Sequence, residues 1–212
     1  MLWKTKYFNK VIIMDEQTAL EDIKFIKRII DDSKRITIDN GMGYVFWGII
    51  VTIGLLANYI MAVLNIKISF IWIWIVLIGF GWIYTIISYF SRKSKPRVCT
   101  YAGKLLRLIW LSCGIAMTLI GFIGVFSGAI DGSYISPILS SILGVGFMLS
   151  GFIYDLRWVR NLSIGWWIGA TVMFVYPGLH SILVMAFMML AFQVVPGLII
   201  YNKFKKEIAI KK

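Results

Sequence analysis

The sequence has little charge for its size. Asp, Glu, Lys and Arg make up 15% of its 212 residues, whereas a soluble domain carries about 25%. Hydrophobic residues account for 59%, and the mean hydropathy is +0.82. These values exclude an ordinary soluble domain and predict a membrane protein. No charged residue lies near the middle of any long apolar run, although ion and proton transporters usually place ionisable groups at that depth.

Cysteine and histidine are also scarce. The chain has two cysteines, Cys99 and Cys113, and one histidine, His180. Neither cysteine has a second Cys or His at ligand spacing, so neither a disulfide nor a metal or haem site is predicted. No nucleophile with a base partner and no phosphate-binding glycine loop occurs in the sequence. We therefore expect no enzymatic activity and no cofactor.

Long apolar runs dominate what is present. Each reaches the ~17 to 25 residues that a helix needs to cross the hydrocarbon of a membrane. The runs are continuously apolar, without the alternation of a membrane β-barrel strand, so helices must satisfy the backbone. The prediction is an all-α polytopic membrane protein with six transmembrane helices arranged as three hairpins. The predicted spans are 44–64, 68–90, 108–130, 134–154, 162–179 and 180–201.

The boundary between the fifth and sixth predicted spans is very short. Only Pro177 and Gly178 interrupt the apolar sequence there. Because proline and glycine end helices and form turns, we expect a tight helical hairpin. The alternative is a re-entrant pair in which the two segments do not both cross the membrane.

The basic residues are distributed very unevenly among the joints. Every Lys and Arg except Lys67 lies in the N-terminal segment 1–43, the second joint, the fourth joint or the tail 202–212. The positive-inside rule therefore places both termini in the cytoplasm of a bacterium, with the chain in its inner membrane. Anionic lipid of the inner leaflet explains the net charge of +12 without nucleic-acid binding. No secretory signal peptide is expected, because the first apolar run follows a long charged segment.

The N-terminal segment contains a predicted amphipathic helix over residues 15–35. Thr18 and Glu21 have capping-box spacing, and the apolar stripe is formed by Ala19, Ile23, Ile26 and Ile30. One interpretation is a helix that lies on the lipid surface. The other is a docking face for a cytoplasmic protein or a second subunit. The acidic residues on the polar face favour a protein contact, because anionic lipid would repel them.

The polar residues within the spans are all uncharged. We expect most of them to bond to backbone carbonyls or to neighbouring helices. Gln193 is distinctive because Pro196 follows it, and proline frees the carbonyl of Phe192 one turn earlier. A kink with a local polar patch is predicted there, and a hinge is the alternative. Asn58, Gln193 and Pro196 are the intramembrane candidates.

The fourth joint is the densest polar cluster near the membrane. Its candidate site residues are Asp155, Arg157, Trp158, Arg160 and Asn161. One interpretation is a short positive-inside loop closed by an ion pair between Asp155 and Arg157 or Arg160, with Trp158 as an interfacial anchor. The other is a site for the phosphate of a lipid headgroup or for a carboxylate.

Two GxxxG motifs predict close helix packing. They are Gly124 to Gly128 and Gly165 to Gly169. Such motifs let two helix backbones approach each other closely. The two helices belong either to one chain or to two copies of it, so packing within the chain and a homo-oligomer are both interpretations of these motifs.

The sequence from Ala19 to Ile30, followed by Ser33 and Gly41-Met-Gly43, resembles an uncharacterised family of small bacterial integral membrane proteins. Those proteins are similar in an "AL-x-x-I-x-x-I" N-terminal helix, a glycine-containing start of the first span and a multi-span body. They are often encoded beside a small winged-helix regulator. The resemblance implies a membrane partner or sensor that engages such a regulator, and it implies no catalytic residues.

Two functions follow as hypotheses. The first is a non-enzymatic inner-membrane sensor or scaffold that contacts a cytoplasmic protein through its N-terminal helix. The second is a transporter or channel subunit for a neutral or lipid-like substrate. The kink at Pro196 and the polar side chains of Asn58 and Gln193 motivate the second.

Overall fold

The computed structural model describes residues 18, 20–27, 41–66, 69–93 and 101–210, and all regular structure within these ranges is helical. The prediction of an all-helical chain is confirmed. Two π-helical turns, Ile120–Gly124 and Leu190–Val194, interrupt the α-helices, and Gly132–Tyr134 is a 3-10 turn. The α-helices are α1 (20–27), α2 (Met42–Val63), α3 (Phe70–Lys93), α4 (Tyr101–Leu119), α5 (Ile135–Ile153), α6 (Arg157–Val175), α7 (Leu179–Met189) and α8 (Val195–Ile210).

Five helical segments among the described residues are long and apolar enough to cross a membrane. They are Met42–Val63, Phe70–Ser88, Tyr101–Gly124, Gly132–Ile153 and Leu179–Lys206. The last of these joins α7, the second π-turn and α8 into one continuous rod. The third begins before the predicted residue 108, because the helix continues through Lys104 and Arg107 at its start.

Helix α6 is not one of these five segments. It begins at Arg157 rather than at the predicted residue 162, so Arg157, Arg160 and Asn161 form its first turns. These polar residues lower its mean hydropathy. The six-span count therefore does not follow from length and composition alone.

The buried centre of the protein lies among α2, α5, α6 and the α7–α8 rod. Phe147, Trp166, Met173 and Met189 are almost completely inaccessible to solvent there. Helices α3 and α4 are peripheral, since only 6% of the apolar window of each is buried, against 50% for the segment that contains α5. Most side chains of α3 and α4 thus face outward.

Helices α5 and α6 form the most extensive helix pair. Gly144 of α5 lies against the ring of Trp167, and Gly151 lies against the backbone of Arg160. The Ser140 hydroxyl donates to the carbonyl of Trp166 at 2.8 Å. These contacts show that α6 runs antiparallel to α5 along most of its length.

A glycine contact joins the start of α2 to α8. Gly41 caps α2 with φ +68°, and a Cβ atom at this position would lie 2.5 Å from the carbonyl oxygen of Gly197. A side chain at residue 41 would be strained by its backbone and excluded by α8. The two glycines therefore allow the two backbones to touch.

The connection between α6 and α7 is as short as the sequence predicts. Residues Tyr176, Pro177 and Gly178 link the two helices, and Gly178 has φ +121°. The Ser181 hydroxyl donates to the Tyr176 carbonyl at 3.0 Å, which holds the turn against the start of α7.

The glycines of the second GxxxG motif pack within the chain. A Cβ atom at Gly165 would lie 2.8 Å from the ring of Phe192, and Gly169 lies against Met188. In the first motif, Gly124 lies against the side chain of Ile130. The second motif thus brings α6 close to the α7–α8 rod.

Candidate functional site

The described part of α1 exposes its apolar side chains. Ile23 and Ile26 of the predicted partner face are 61% and 54% exposed, and Leu20 and Phe25 are also exposed. The other two residues of that face, Ala19 and Ile30, lie outside the described residues. The apolar stripe is therefore not buried against the helical bundle at Ile23 and Ile26.

The candidate residues of the fourth joint gather at the start of α6. Asp155 forms the turn after α5 with φ +51°, and Leu156 is the N-cap of α6 without a side-chain hydrogen bond. Arg157 and Asn161 are exposed, whereas Trp158 and Arg160 are half-buried. All five predicted residues thus lie within two turns of the helix start.

The predicted ion pair of this joint is absent. No ion pair links Asp155 to Arg157 or Arg160, and all three residues are described. The left-handed backbone at Asp155 turns the chain between α5 and α6, and its side chain is exposed. Arg160 instead places its guanidinium carbon 5.2 Å from the centre of the Phe152 ring.

Helix α8 adds a residue that the sequence did not associate with this joint. The Nζ atom of Lys203 lies 5.7 Å from the centre of the Trp158 ring. The indole nitrogen of Trp158 is buried and has no hydrogen-bond partner. Because residues 158 and 203 are far apart in sequence, only the tertiary structure reveals this contact.

The intramembrane candidates contain two buried oxygen atoms without hydrogen-bond partners. These are Oδ1 of Asn58 and Oε1 of Gln193. Gln193 is only 3% exposed, and its Cγ atom lies close to Gly48 of α2. An unpartnered amide oxygen in an apolar core costs free energy, because nothing replaces its hydrogen bond to water.

A π-helical turn lies just before Pro196, where the sequence predicts a kink. Residues Leu190–Val194 are π-helical, and the amide of Val195 donates to the carbonyl of Leu190, five residues earlier. Gln193 lies within this turn, so the polar side chain and the irregular backbone coincide.

A repeated tryptophan contact connects α2, α3, α4 and α5 in succession. Trp47 of α2 donates to the Thr85 hydroxyl of α3 at 3.1 Å, and Trp82 of α3 donates to the Thr118 hydroxyl of α4 at 3.3 Å. Trp110 of α4 donates to the Ser150 hydroxyl of α5 at 3.0 Å. Each indole therefore bonds to a hydroxyl on the next helix of the chain.

Each receiving hydroxyl also donates to the carbonyl of a glycine one turn earlier. Thr85 donates to Gly81 at 2.8 Å, Thr118 to Gly114 at 2.7 Å and Ser150 to Gly146 at 2.6 Å. The tryptophan ring lies over the same glycine in all three cases. The glycine makes room for the ring, and the hydroxyl one turn later accepts the indole proton.

The third of these contacts has an additional partner. The indole nitrogen of Trp110 also lies 2.9 Å from the Tyr44 hydroxyl oxygen of α2, and the Tyr44 and Trp110 rings meet edge to face at 5.0 Å. Phe147 packs against both rings and against Trp166. This aromatic cluster joins the peripheral helix α4 to the buried centre.

Sequence reasoning anticipated the hydroxyls but missed the tryptophans. Bonds from Thr85, Thr118 and Ser150 to carbonyls or to other helices are confirmed. A G-x-x-x-[ST] spacing in α3, α4 and α5 could have predicted these contacts. In each case the preceding helix of the chain contains a tryptophan. Gly48 and Thr52 repeat the spacing in α2, where Thr52 donates to the Gly48 carbonyl at 2.7 Å. There the side chain over the glycine is Val194 of the second π-turn.

The histidine and cysteine residues, which could act as metal ligands or nucleophiles, lie apart from one another where the structure describes them. His180 is exposed at the start of α7, Cys113 lies within α4, and Cys99 is outside the described residues. Within the described ranges, no three His, Cys, Asp or Glu side chains converge. The backbone amide of Ser133 donates to Asp131 at 2.8 Å, and this hydrogen bond lowers the pKa of the exposed Asp131 carboxyl.

No family model, no curated protein and no solved structure matches this chain. The resemblance carried by residues 19–43 thus stays a prediction.

Proposed function

We propose that the protein is a non-enzymatic bacterial inner-membrane sensor or scaffold, with six spans and both termini in the cytoplasm, that holds a cytoplasmic protein through α1. The observation that carries the proposal is the exposure of Ile23 and Ile26 on α1. Exposed isoleucines of this kind are costly in water and are typical of a binding surface.

The antiparallel pairing of α5 and α6 supports the sixth span. Gly151 meets Arg160 near one end of the pair, and Ser140 bonds to Trp166 further along it. A helix that follows a membrane-crossing neighbour in this way crosses with it. Six spans return the C-terminus to the side of the N-terminus, where the basic residues are concentrated.

Topology reporters test the arrangement of the spans. Fusions after Lys67 and Asp131 should report the periplasm, and a fusion after Lys205 should report the cytoplasm. If α6 does not cross, the reporter after Lys205 changes side while the first two are unaffected. That outcome would overturn the six-span proposal.

The charge pattern of α1 favours a protein over lipid as the occupant of its apolar face. The exposed helix carries two carboxylates, Glu21 and Asp22, followed by two lysines, Lys24 and Lys27. An anionic membrane surface attracts the lysines and repels the carboxylates, whereas a protein surface can complement both signs.

Photo-crosslinking in intact cells tests this occupant. A photoreactive residue at position 23 or 26 should form an adduct with one discrete protein, and the same residue at position 24, on the opposite face, should not. The adduct at position 26 should disappear when Ile23→Asp is added, and Lys24→Asp should preserve it. Adducts with lipid alone, or equal protein adducts at positions 23 and 24, would contradict the proposal.

The second candidate function is a transporter or channel subunit for a neutral or lipid-like substrate. The observation that favours it is the unpartnered Gln193 oxygen within a π-helical turn, because π-turns inside helices often occur at functional sites. A polar group of a substrate would supply the missing hydrogen bond. If Gln193→Leu abolishes uptake of a neutral or lipid-like substrate while folding and expression are unchanged, that result would support the transporter over the scaffold.

A further inference from the structure

The exposed apolar stripe of α1 has the spacing of a coiled-coil seam. Ile23 and Ile26 are three residues apart, and in the sequence Ala19 and Ile30 continue the pattern at intervals of four. Apolar residues at alternating intervals of three and four occupy the a and d positions of a heptad repeat, which pack against the same positions of a neighbouring helix. Ile23 is thus an a position and Ile26 a d position, and both side chains are exposed.

The charges beside this seam lie on its opposite flanks. Because successive residues of an α-helix are about 100° apart, Asp22 lies about 70° to one side of the seam's midline and Lys27 about 70° to the other. Both side chains are exposed. They are about 140° apart around the helix, which is too far for an ion pair within α1. One flank of the seam therefore carries a carboxylate and the other carries an ammonium group.

Two such helices complement each other when they run in the same direction. In a parallel pair, the g residue of each helix faces the e residue of the next heptad in the other helix. Asp22 is a g position and Lys27 is that e position, so the contact forms twice, once in each direction. In an antiparallel pair each flank faces the same flank of the other helix, so the two charges stay apart. The charge pattern therefore favours a parallel pair of α1 helices.

A second copy of the chain is the occupant that this pattern fits. A symmetric pair of identical chains requires a surface that complements itself, so that residue i contacts residue j and j contacts i. Asp22 and Lys27 meet this requirement. Confinement of both copies to one membrane raises the effective concentration of one α1 at the other, so a short seam is sufficient.

We propose that the apolar stripe of α1 packs in parallel against the α1 of another copy of this chain whenever it holds no other protein. This regulation rests on the proposed function, because a cytoplasmic partner and another copy cover the same isoleucines and therefore compete. Self-pairing removes the exposed isoleucines from water when the partner is absent. Isoleucine at both seam positions suits three strands as well as two, and the contact between Asp22 and Lys27 is the same in both.

Disulfide crosslinking of the purified full chain in detergent tests the direction of the pairing. In a background with Cys99→Ala and Cys113→Ala, Ile26→Cys should form a crosslink between copies, because equal d positions face each other in a parallel coiled coil. Lys24→Cys, on the outer side of the helix, should not. If Ile23→Cys and Ile26→Cys copies with different tags crosslink to each other in preference to themselves, the pairing is antiparallel and the proposal is wrong.

Exchange of the flanking charges tests the contact between copies. Asp22→Lys and Lys27→Asp should each raise the dissociation constant of the pair about tenfold, because two attractive contacts become repulsive. An equimolar mixture of these two variants should associate as tightly as the wild type, since one helix then has two basic flanks and the other two acidic flanks. Energy transfer between labelled copies in detergent measures the association. A mixture of Glu21→Lys and Lys24→Asp, whose sites lie away from the seam, should match its separate variants and controls for charge alone.

A pair of adjacent apolar residues tests the seam. Ile26→Asp should abolish the association, whereas Phe25→Asp should preserve it. The two side chains are equally exposed, at 54% and 56%, but Phe25 lies about 130° from the midline of the seam. Both substitutions are on an exposed helix, so neither should unfold the bundle. Equal effects of the two substitutions would show that general hydrophobicity, rather than the seam, drives the association.

Failure of self-pairing and failure of the proposed function give different results. The purified chain has no other protein available, so an absence of crosslinks at position 26 and of rescue in the charge mixture overturns self-pairing. That result leaves the capture of a cytoplasmic protein in intact cells unaffected. Conversely, photo-crosslinks in cells that contain only another copy of this chain would contradict the proposed function and support self-pairing.

Discussion

The indole nitrogen of Trp47 lies 3.1 Å from the hydroxyl of Thr85 and joins the buried helix α2 to the peripheral helix α3. The Trp47 ring also covers Gly81, whose carbonyl accepts the Thr85 proton at 2.8 Å. Phe46 of α2 also stacks on Tyr84 of α3 at 3.7 Å, so the Trp47 contact is one of several that position this little-buried helix. The first two predictions follow from it.

Trp47→Phe should loosen α3 while α2 stays folded. Phenylalanine cannot donate to Thr85, and it lacks the outer indole atoms Cζ2, Cζ3 and Cη2 that lie over Gly81. The loss of one interhelical hydrogen bond predicts a fall of about 0.6 to 1.7 kcal/mol in the free energy of unfolding. Chemical denaturation in detergent measures this fall. The matched control is Trp72→Phe on α3, where the side chain is 64% exposed and should contribute little.

Gly81→Ala should destabilise the protein, whereas Gly79→Ala should not. A Cβ atom at residue 81 would lie 2.6 Å from Cη2 of Trp47, but at residue 79 it meets nothing within 4 Å. The first substitution should cost about 1 to 3 kcal/mol through overpacking. The second should be neutral or stabilising, because alanine favours helix more than glycine does. Equal unfolding midpoints for the two variants would show that the ring does not require Gly81.

Gln193→Leu should leave the free energy of unfolding unchanged or raise it by up to about 1 kcal/mol. The buried Oε1 atom has no partner, so an apolar residue of similar size removes a desolvation cost without breaking a hydrogen bond. Gln193→Glu has nearly the same shape and should cost about 2.5 kcal/mol or more if the new carboxyl is charged. A clear destabilisation by leucine would reveal a hydrogen bond to Gln193 in the membrane.

The Asp131 carboxyl should titrate below the ordinary range of aspartate. The Ser133 amide stabilises the charged form and lowers the pKa of Asp131. A lowered folded-state pKa means that the carboxylate stabilises the fold above its unfolded pKa, and this contribution is lost as the pH falls through the folded pKa. Carboxyl NMR titration in micelles measures the midpoint. Ser133→Pro removes the donor and should return the midpoint toward the ordinary value.

Particular residues show how far the sequence predicts this protein. Pro196 and Gln193 predicted a kink in the last span, because proline removes a backbone donor wherever it occurs in a helix, and a π-helical turn lies beside Pro196. Helix α6 begins at Arg157, five residues before the predicted start of the fifth span at residue 162. Hydropathy marks where apolar residues begin, whereas α6 extends back through Arg157, Arg160 and Asn161.

The candidate site was predicted only in part. Arg157, Trp158 and Arg160 are close in sequence and could be grouped by eye. The expected ion pair with Asp155 failed because the left-handed backbone at that residue belongs to the turn and the carboxylate stays exposed. Lys203 could not be assigned, since its approach to Trp158 is a contact between residues far apart in the chain.

The sequence by itself determined that the chain is helical and suited to a membrane. Continuous apolar runs have few ways to satisfy backbone hydrogen bonds in lipid, and the helix is the local one. The tertiary structure decided which helices are central, which glycines touch which rings, and which cation lies over Trp158. Those features depend on contacts between residues far apart in the chain, such as Trp110 with Tyr44 and Lys203 with Trp158. In a uniformly apolar sequence, hydrophobicity does not distinguish one helix neighbour from another, so shape and a few hydrogen bonds make the choice.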